Sequence, residues 1–195
     1  MSLKRIPAVP INDEPVFIDA AIGQVQTILK SKLSWLDYSF GRAQKLVTKK
    51  DNKDYFYPGV HYGYGDYVNV FPDNELGNFS FFLVEDPQPI DFNARQFNAA
   101  KLKYSLVVWV NLDKIFEGEK DRNSEMIKTQ VLGIITRELF LSYGRFTVEN
   151  IYEEAQNIYK NYSLKEVDSQ FLMQPYYGLR LEGEMLITEL NADCS

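Results

Sequence analysis

Hydrophobic residues near the start of the chain recur every three or four positions between Val16 and Leu36. This spacing predicts an amphipathic helix with one apolar stripe. The stripe is formed by Ile18, Ile22, Val25, Leu29, Leu33 and Leu36. Asp13 is the expected N-cap, and Pro15 would lie in the first turn, where its missing N–H costs nothing. The polar side of the helix carries Gln24, Gln26, Lys30 and Lys32.

After Gly41 the hydrophobic period shortens to about two, which predicts β-strands. The predicted strands are Gln44–Thr48, Tyr55–Tyr57, Tyr67–Phe71 and Phe79–Val84. Asp51–Asp54 is the expected turn of the first hairpin. The solvated tip of that hairpin carries Lys49, Lys50 and Lys53. Because Pro58 has no N–H to donate, the strand that contains it is expected to lie at an edge or to end there.

The second half of the chain begins with its most strand-like stretch, Tyr104–Leu112. Apolar residues occupy both of its faces, so we expect a central strand that is covered on both sides. Trp109 would then be buried on the face opposite Val108 and Val110, with a partner for its indole N–H. The preceding connection, Glu85–Lys103, is expected to lie on the surface.

Two helices and a long strand are predicted for the remainder of the chain. The predicted helices are Ser124–Leu141, which could begin one residue earlier at Asn123, and Val148–Tyr159. Tyr176–Leu190 alternates apolar with charged residues, which is typical of a strand. Gly183 within this strand indicates a bulge or a close approach of another backbone.

This order of elements predicts an α+β fold. We expect a mainly antiparallel sheet of about five to six strands that carries the N-terminal helix and two helices from the C-terminal half. The length of 195 residues favours a single domain that spans residues 1–195. Residues 1–12 are expected to form an extended arm, because Pro7 and Pro10 disfavour helix in the residues before them.

The net charge of −6 argues against nucleic acid as the main ligand. Proteins that bind nucleic acid through its phosphates carry a basic face, whereas the basic residues here are scattered. The longest apolar run, Leu106–Val110, is too short to cross a bilayer, so no membrane partner is expected. The N-terminus lacks a secretory pattern, and the only cysteine, Cys194, excludes an internal disulfide. We therefore expect a cytoplasmic protein.

Candidate catalytic and metal-binding groups are few. A zinc site within one subunit would need several Cys or His residues, and the chain has one of each. His61 lies in a loop of glycine and aromatic residues and is expected to pack there instead of acting as a base. Gly63-Tyr64-Gly65 lacks the Lys-Ser/Thr of a phosphate-binding loop. No metal and no cofactor are therefore expected.

One strand face leaves an enzymatic alternative open. Arg180, Glu182 and Glu184 alternate along the last predicted strand and would share one face. A pair of carboxylates at this spacing could perform glycosidase-type chemistry if the face lined a cleft. Charge alternation on a solvated strand face is the competing interpretation.

Aromatic residues are concentrated on the predicted hairpin and the loop after it. The candidate partner-binding residues are Tyr55, Tyr57, His61, Tyr62, Tyr64 and Tyr67. A tyrosine-rich sheet face packed on a helix is the simplest explanation. A protein–protein surface is a second one, because Tyr supplies a large contact area at low entropic cost. A glycan-binding or other small-ligand platform is a third.

The layout of the chain resembles that of phage tail-terminator and neck-type assembly proteins. The matching segments are Val16–Leu36, the hairpins from Gln44 to Val84, Ser105–Leu112, Ser124–Leu141 and Leu179–Leu190. The resemblance implies a non-enzymatic phage or prophage assembly protein, of the tail-terminator or head–tail joining type. It also implies a homo-oligomer, in the form of a ring, with other particle proteins as partners, located in the host cytoplasm or within a virion.

Overall fold

The computed structural model describes residues 6–63, 65–86, 90–91, 99–119, 121–138, 140–141 and 144–187. It has an α+β fold that begins with a helix, as the sequence predicts. The α-helices are α1 (Phe17–Lys32), α2 (Leu112–Ile115), α3 (Ser124–Gly133) and α4 (Ala155–Ile158). The strands are β1 (Tyr38–Lys50), β2 (Lys53–Gly63), β3 (Asp66–Asn69), β4 (Phe79–Val84), β5 (Ile90–Asp91), β6 (Ala99–Asn111), β7 (Phe140–Leu141), β8 (Gly144–Tyr152) and β9 (Tyr176–Ile187).

The strands of the described part of the chain form one nine-stranded sheet. Its order is β3-β2-β1-β4-β6-β9-β8-β7, and β5 pairs with β6 outside this path. β1 and β4 run parallel, whereas the other strand pairs of the described residues are antiparallel. The sheet is therefore mixed, and the expected number of five to six strands was too low.

The central strand β6 is covered on both faces, which confirms the prediction. On one face Leu106 and Val108 belong to the core that α1 and α3 cover. On the other face Val107 and Trp109 pack with residues from β4 and from the segment around α4. Trp109 is only 3% exposed. No acceptor among the described residues contacts its indole Nε1, so the expected partner of the buried N–H is not found.

Helix α1 confirms the predicted apolar stripe from Ile18 to Leu29, but it ends at Lys32, so Leu33 and Leu36 lie after it. The predicted cap is wrong. The helix begins at Phe17, and Val16 occupies the N-cap position without a side-chain hydrogen bond, so Asp13 is not the cap. Gln26 was placed on the polar side, yet it is buried. Its amide Nε2 donates to the backbone oxygens of Pro10 at 3.1 Å and Ser39 at 2.7 Å. These bonds explain why a polar side chain lies under the helix.

The predicted helix Val148–Tyr159 is wrong. Its first part belongs to β8, which pairs with β9, and only the four residues of α4 are helical. The apolar spacing that suggested a helix includes Ile151, which is exposed and packs into neither core. Pairing with the outer edge of β9 determines the structure here, because it satisfies backbone groups of both strands.

The helix predicted for Ser124–Leu141 ends earlier than expected. α3 continues into a π-helical turn, Ile134–Glu138, and the chain then enters β7. β6 begins at Ala99, inside the stretch predicted as a surface connection. Residues 87–89 and 92–98 of that connection, and residues 188–190 of the predicted last strand, lie outside the described residues.

The backbone of β8 approaches β9 closely at Gly183, as the position of this glycine in the sequence indicated. A Cβ atom at Gly183 would lie 1.7 Å from the backbone oxygen of Thr147. The pairing of β8 with β9 shifts register between Val148 and Asn150, so a bulge lies opposite this glycine. The predicted close approach is confirmed, whereas the bulge lies in the neighbouring strand β8 and not in the strand of the glycine.

We expect Trp109→Ala to lower the free energy of unfolding by about 3–5 kcal/mol, because it removes a large aromatic side chain from a packed core. Urea denaturation of the purified protein measures this change. Val47→Ala is the control, since Val47 is 55% exposed and its truncation should cost under about 0.5 kcal/mol. Equal losses for the two variants would contradict the two-sided packing of β6.

Gly178 allows the indole of Trp109 to lie against the backbone of the neighbouring strand. A Cβ atom at Gly178 would lie 2.1 Å from the indole atom Cζ3. We therefore expect Gly178→Ala to cost about 1–3 kcal/mol through overpacking. The cost should shrink in a Trp109→Ala background, and a double-mutant cycle measures that coupling.

Gly133→Ala is the matched control for the Gly178 substitution. Gly133 lies in α3, and apart from its own helix backbone and chain neighbours no described residue lies within 4 Å of an added Cβ atom. This substitution should stabilise the protein by about 0.5–1 kcal/mol, because alanine loses less backbone entropy than glycine in a helix. Additive effects of Gly178→Ala and Trp109→Ala would show that the indole does not require this glycine.

Candidate functional site

Strand β1 belongs to two parts of the sheet. Its first residues, Tyr38–Arg42, pair with β4, and from Ala43 onward it pairs only with β2 among the described strands. We call β1 from Ala43, together with β2 and β3, the hairpin sheet. Asp51 and Asn52 form its two-residue turn with φ angles of 52° and 59°, which confirms the predicted hairpin.

Proline in β2 leaves part of the hairpin sheet at an edge. β2 continues past Pro58 to Gly63, so the proline does not end the strand. β3 pairs only with the part of β2 that follows Pro58. The earlier part of β2 is therefore at the edge of the sheet, as the missing N–H predicted.

Four of the predicted partner-binding residues share one face of the hairpin sheet. Tyr55, Tyr57 and His61 alternate along β2, and Tyr67 of β3 is paired directly with His61. Residues paired in this way point to the same face. The rings of His61 and Tyr67 confirm this, because they meet edge to face at 5.4 Å. We call these four residues the tyrosine face.

The remaining two predicted residues are not part of this face. Tyr62 follows His61 directly, so its side chain points to the opposite side, where its hydroxyl donates to Asp66 at 3.4 Å. Tyr64 lies outside the described residues. The sequence therefore placed Tyr55, Tyr57 and Tyr67 on strands correctly, but it placed His61 and Tyr62 in a loop, whereas both lie on β2, which continues to Gly63.

Residues 155–172, which we call the wall segment, run beside the edge of β2. The backbone N–H of Ser163 donates to the oxygen of Phe56 at 2.8 Å, and the N–H of Phe56 donates to Ser163 Oγ at 3.0 Å. The buried hydroxyl of Tyr159 donates to the backbone oxygen of Val70 at 3.3 Å. The wall segment thus takes the place of a strand neighbour where β3 does not reach.

A groove of about 610 Å³ lies between the tyrosine face and the wall segment. Its aromatic lining consists of Tyr55, Phe56, Tyr57, Tyr67, Phe71 and Phe171. Its acidic lining consists of Asp73, Glu166 and Asp168. No Lys, Arg or His among the described residues lines it. Aromatic faces next to carboxylates form an environment that favours a cation.

Two of the three groove acids have no cationic partner in the described part of the chain. Asp73 Oδ1 accepts the backbone N–H groups of Glu75 at 2.9 Å and Leu76 at 2.6 Å. Asp168 Oδ1 accepts the backbone N–H of Gln170 at 3.1 Å, and its Oδ2 accepts the side-chain Nε2 of Gln170 at 2.7 Å. Both carboxylates therefore cap turns, whereas Glu166 pairs with Lys50 at 3.1 Å. Burial raises the pKa of Asp73 above its usual value, although the backbone N–H groups oppose the shift.

Arg180 lies on the same side of the sheet as the wall segment and is only 2% exposed. Its Nε donates to Ser105 Oγ at 3.1 Å, and its Nη1 donates to the backbone oxygens of Asn157 and Ile158, both at 3.3 Å. Nη2 donates to Glu182 Oε1 at 2.5 Å. The guanidinium is thus a structural link between β9, β6 and α4.

A second cavity of about 700 Å³ opens where β1 separates from β4. Its charged lining consists of Arg42, Lys45, Glu85, Asp86, Lys160 and Arg180. Lys160 donates to Glu182 at 3.0 Å. Burial alone would raise the pKa of Glu182, but the hydrogen bond from Lys160 and the charge of Arg180 hold it below its usual value.

The enzymatic alternative needs Arg180, Glu182 and Glu184 to act together, but the two glutamates bind different partners. Glu182 contacts Arg180, whereas Glu184 pairs with Lys101 at 2.7 Å. All three share one strand face, as predicted, but only Arg180 lines the second cavity. Its guanidinium is already bonded on all three nitrogens.

No model of a known protein family matches this chain, and no curated protein matches its sequence. The candidate site therefore depends on geometry alone. Within the described ranges, no group of three or more His, Cys, Asp or Glu side chains could hold a metal ion. Among the same residues, no helix has the length and apolar character needed to span a membrane.

Sequence reasoning missed one half of the groove. Glu166, Asp168 and Phe171 are distant in sequence from the tyrosines, and the folding of the wall segment brings them to the groove, whereas Asp73 follows soon after β3 along the chain. A local signal was present for the two aspartates. Each begins a short turn, a position at which Asp commonly accepts backbone N–H bonds.

We expect Glu182→Gln to lower the free energy of unfolding by about 1–3 kcal/mol at neutral pH, because the buried Arg180 loses the nearer of its two carboxylate partners and keeps only Glu85 at 3.8 Å. The pKa of Glu182 lies below its ordinary 4.5. Its contribution to stability is therefore present above pH 4.5 and is lost as the pH falls through its folded-state pKa. Urea denaturation at neutral pH and below pH 4.5 should show the difference between the wild type and the variant narrowing in acid.

Glu184→Gln is the control on the same strand face. Its partner Lys101 is 63% exposed, and such pairs contribute under about 1 kcal/mol. If both variants lose equal stability, the Arg180 contact contributes no more than an exposed ion pair.

Proposed function

We infer that this protein is a non-enzymatic assembly subunit of a phage or prophage particle, of the tail-terminator or head–tail joining type. It acts through protein–protein contacts with copies of itself, as a ring-forming homo-oligomer, and with other particle proteins. The observation that carries the proposal is the tyrosine face on the hairpin sheet. The layout of helix, sheet and late strand supports the particle type by resemblance.

The exposure of the hairpin sheet supports a contact role. Tyr67 is 40% exposed and Val47 is 55% exposed, although both lie on ordered strands. Tyrosine in such a position supplies a large apolar area and a polar hydroxyl, a combination enriched at protein interfaces. β1 beyond Arg42 also has one edge with no strand partner in the described part of the chain. Edges of this kind can pair with another chain.

We expect light scattering over a wide concentration range to show self-association of the purified protein. Tyr55→Ser/Tyr67→Ser should weaken that association at least about tenfold, because interface tyrosines commonly contribute more than 1 kcal/mol each. Sedimentation velocity measures the same equilibrium independently.

Tyr62→Ser is the matched control, because Tyr62 lies on the opposite side of the same strand. It should leave the dissociation constant within about twofold of the wild type. A strictly monomeric protein at all concentrations would count against the proposal. An oligomer that the double variant and Tyr62→Ser weaken equally would also count against it.

A further inference from the structure

The groove beside the tyrosine face has the chemistry of a site for an organic cation. Among the described residues, six aromatic side chains and three carboxylates line it, and one of these rings, Phe56, already has Lys45 Nζ at 4.4 Å from its centroid. Its volume of about 610 Å³ lies within the range of roughly 300–1,000 Å³ that is typical of ligand pockets. This groove is wide enough for one long side chain and the backbone that carries it.

The charges of the groove are not balanced within the described part of the chain. Asp73 and Asp168 form no ion pair there, and only Glu166 has a cationic partner, Lys50. The backbone N–H groups that Asp73 and Asp168 accept hold these carboxylates in place. A ligand that carries positive charge would complete the electrostatics of the groove, and at Asp168 it would share Oδ2 with the side-chain amide of Gln170.

The planar aromatic walls favour guanidinium over ammonium. Tyr57 and Tyr67 lie on one side of the groove and Phe171 on the other. A guanidinium can stack on aromatic faces and bond carboxylates through its edge, whereas an ammonium acts as a point charge.

We propose that the groove between the tyrosine face and the wall segment binds an arginine side chain carried by a partner polypeptide. The proposal rests on the proposed function, since it names the chemistry of the partner at the same face. The arginine stacks on the aromatic walls, and its guanidinium edge reaches the carboxylates of Asp73 and Asp168.

The test is a titration of the full-length protein with acetyl-Ala-Arg-Ala-amide at low salt. The citrulline analogue of this peptide is the neutral, nearly isosteric control. Calorimetry gives the affinities, and NMR of ¹³C-labelled tyrosine reports on Tyr55, Tyr57 and Tyr67. We expect the arginine peptide to bind at least about fivefold more tightly than the citrulline peptide and to shift these tyrosine signals.

Asp73→Asn/Asp168→Asn removes two charges and keeps both turn caps, because asparagine accepts the same backbone N–H bonds. This double variant should lower the affinity for the arginine peptide by about tenfold. Glu117→Gln/Glu119→Gln is the matched control, since it changes the net charge equally at exposed positions outside the groove. This control should leave the affinity within about twofold.

Equal binding of the two peptides, no binding of either, or equal weakening by both double variants would overturn the proposal. Because self-association at the tyrosine face would also shift these tyrosine signals, the peptide is titrated at one fixed protein concentration, and only shifts that grow with added peptide are taken as binding. The outcome is separate from that of the proposed function. If a strictly monomeric protein binds the arginine peptide, the arginine site is supported and the assembly role is not. If an oligomer does not bind the peptide, only the assembly role is supported.

Discussion

A buried guanidinium determines where the two halves of the candidate site meet. Arg180 lies near the centre of the sheet, and an unpaired cation at this depth would cost several kcal/mol. Its acceptors include the backbone oxygens of Asn157 and Ile158. Nη1 of Arg180 therefore has these acceptors only when the end of α4 lies against β9, while Glu182 of the same strand supplies the opposite charge. α4 begins the wall segment. The hydrogen bonds of Arg180 to α4 therefore help to fix the position of that segment beside the hairpin sheet.

The aromatic core extends this link toward the hairpin sheet. Tyr159 follows α4 directly, contacts the Trp109 ring at 5.7 Å and the Phe71 ring at 5.4 Å, and bonds the backbone of Val70. Burial raises the pKa of the Tyr159 hydroxyl well above its ordinary value, so it remains protonated and donates to that carbonyl. Part of the high aromatic content of the chain therefore serves the packing of the wall segment, whereas in the tyrosine face Tyr67 is exposed and the other residues are half-buried.

The sequence predicted those elements whose side-chain pattern is fixed by burial on one sheet or helix. The stripe of α1, the two covered faces of β6 and the glycine opposite the bulge belong to this group. It failed where tertiary pairing outweighs local spacing. β8 has an apolar spacing that also suits a helix, and only the free edge of β9 decides in favour of a strand. Gln26 is buried because two distant backbone oxygens need a donor, which no local pattern reveals.

Prediction of the site met the same limit. The tyrosine face follows from alternation along β2 once the hairpin register is known, because residues two apart share a face. The register itself depends on the turn at Asp51 and Asn52, which the sequence did indicate. The opposite wall of the groove could not be predicted, because its position depends on long-range contacts of Arg180 and Tyr159. The hydrogen bond from Tyr159 to Val70, for example, joins residues that are 89 positions apart.

The groove and the second cavity differ in charge because the acidic and basic side chains near them have different partners. The cations near the site are already engaged: Lys50 with Glu166, and Lys160 and Arg180 with Glu182. Asp73 and Asp168 are engaged by neutral backbone N–H groups, which hold a carboxylate without cancelling its charge. The groove therefore keeps a net negative lining beside its aromatic walls, while the cavity at Arg180 contains the basic side chains. A fold that stabilises turns with aspartate and a core with arginine thus separates charge between two neighbouring concave surfaces.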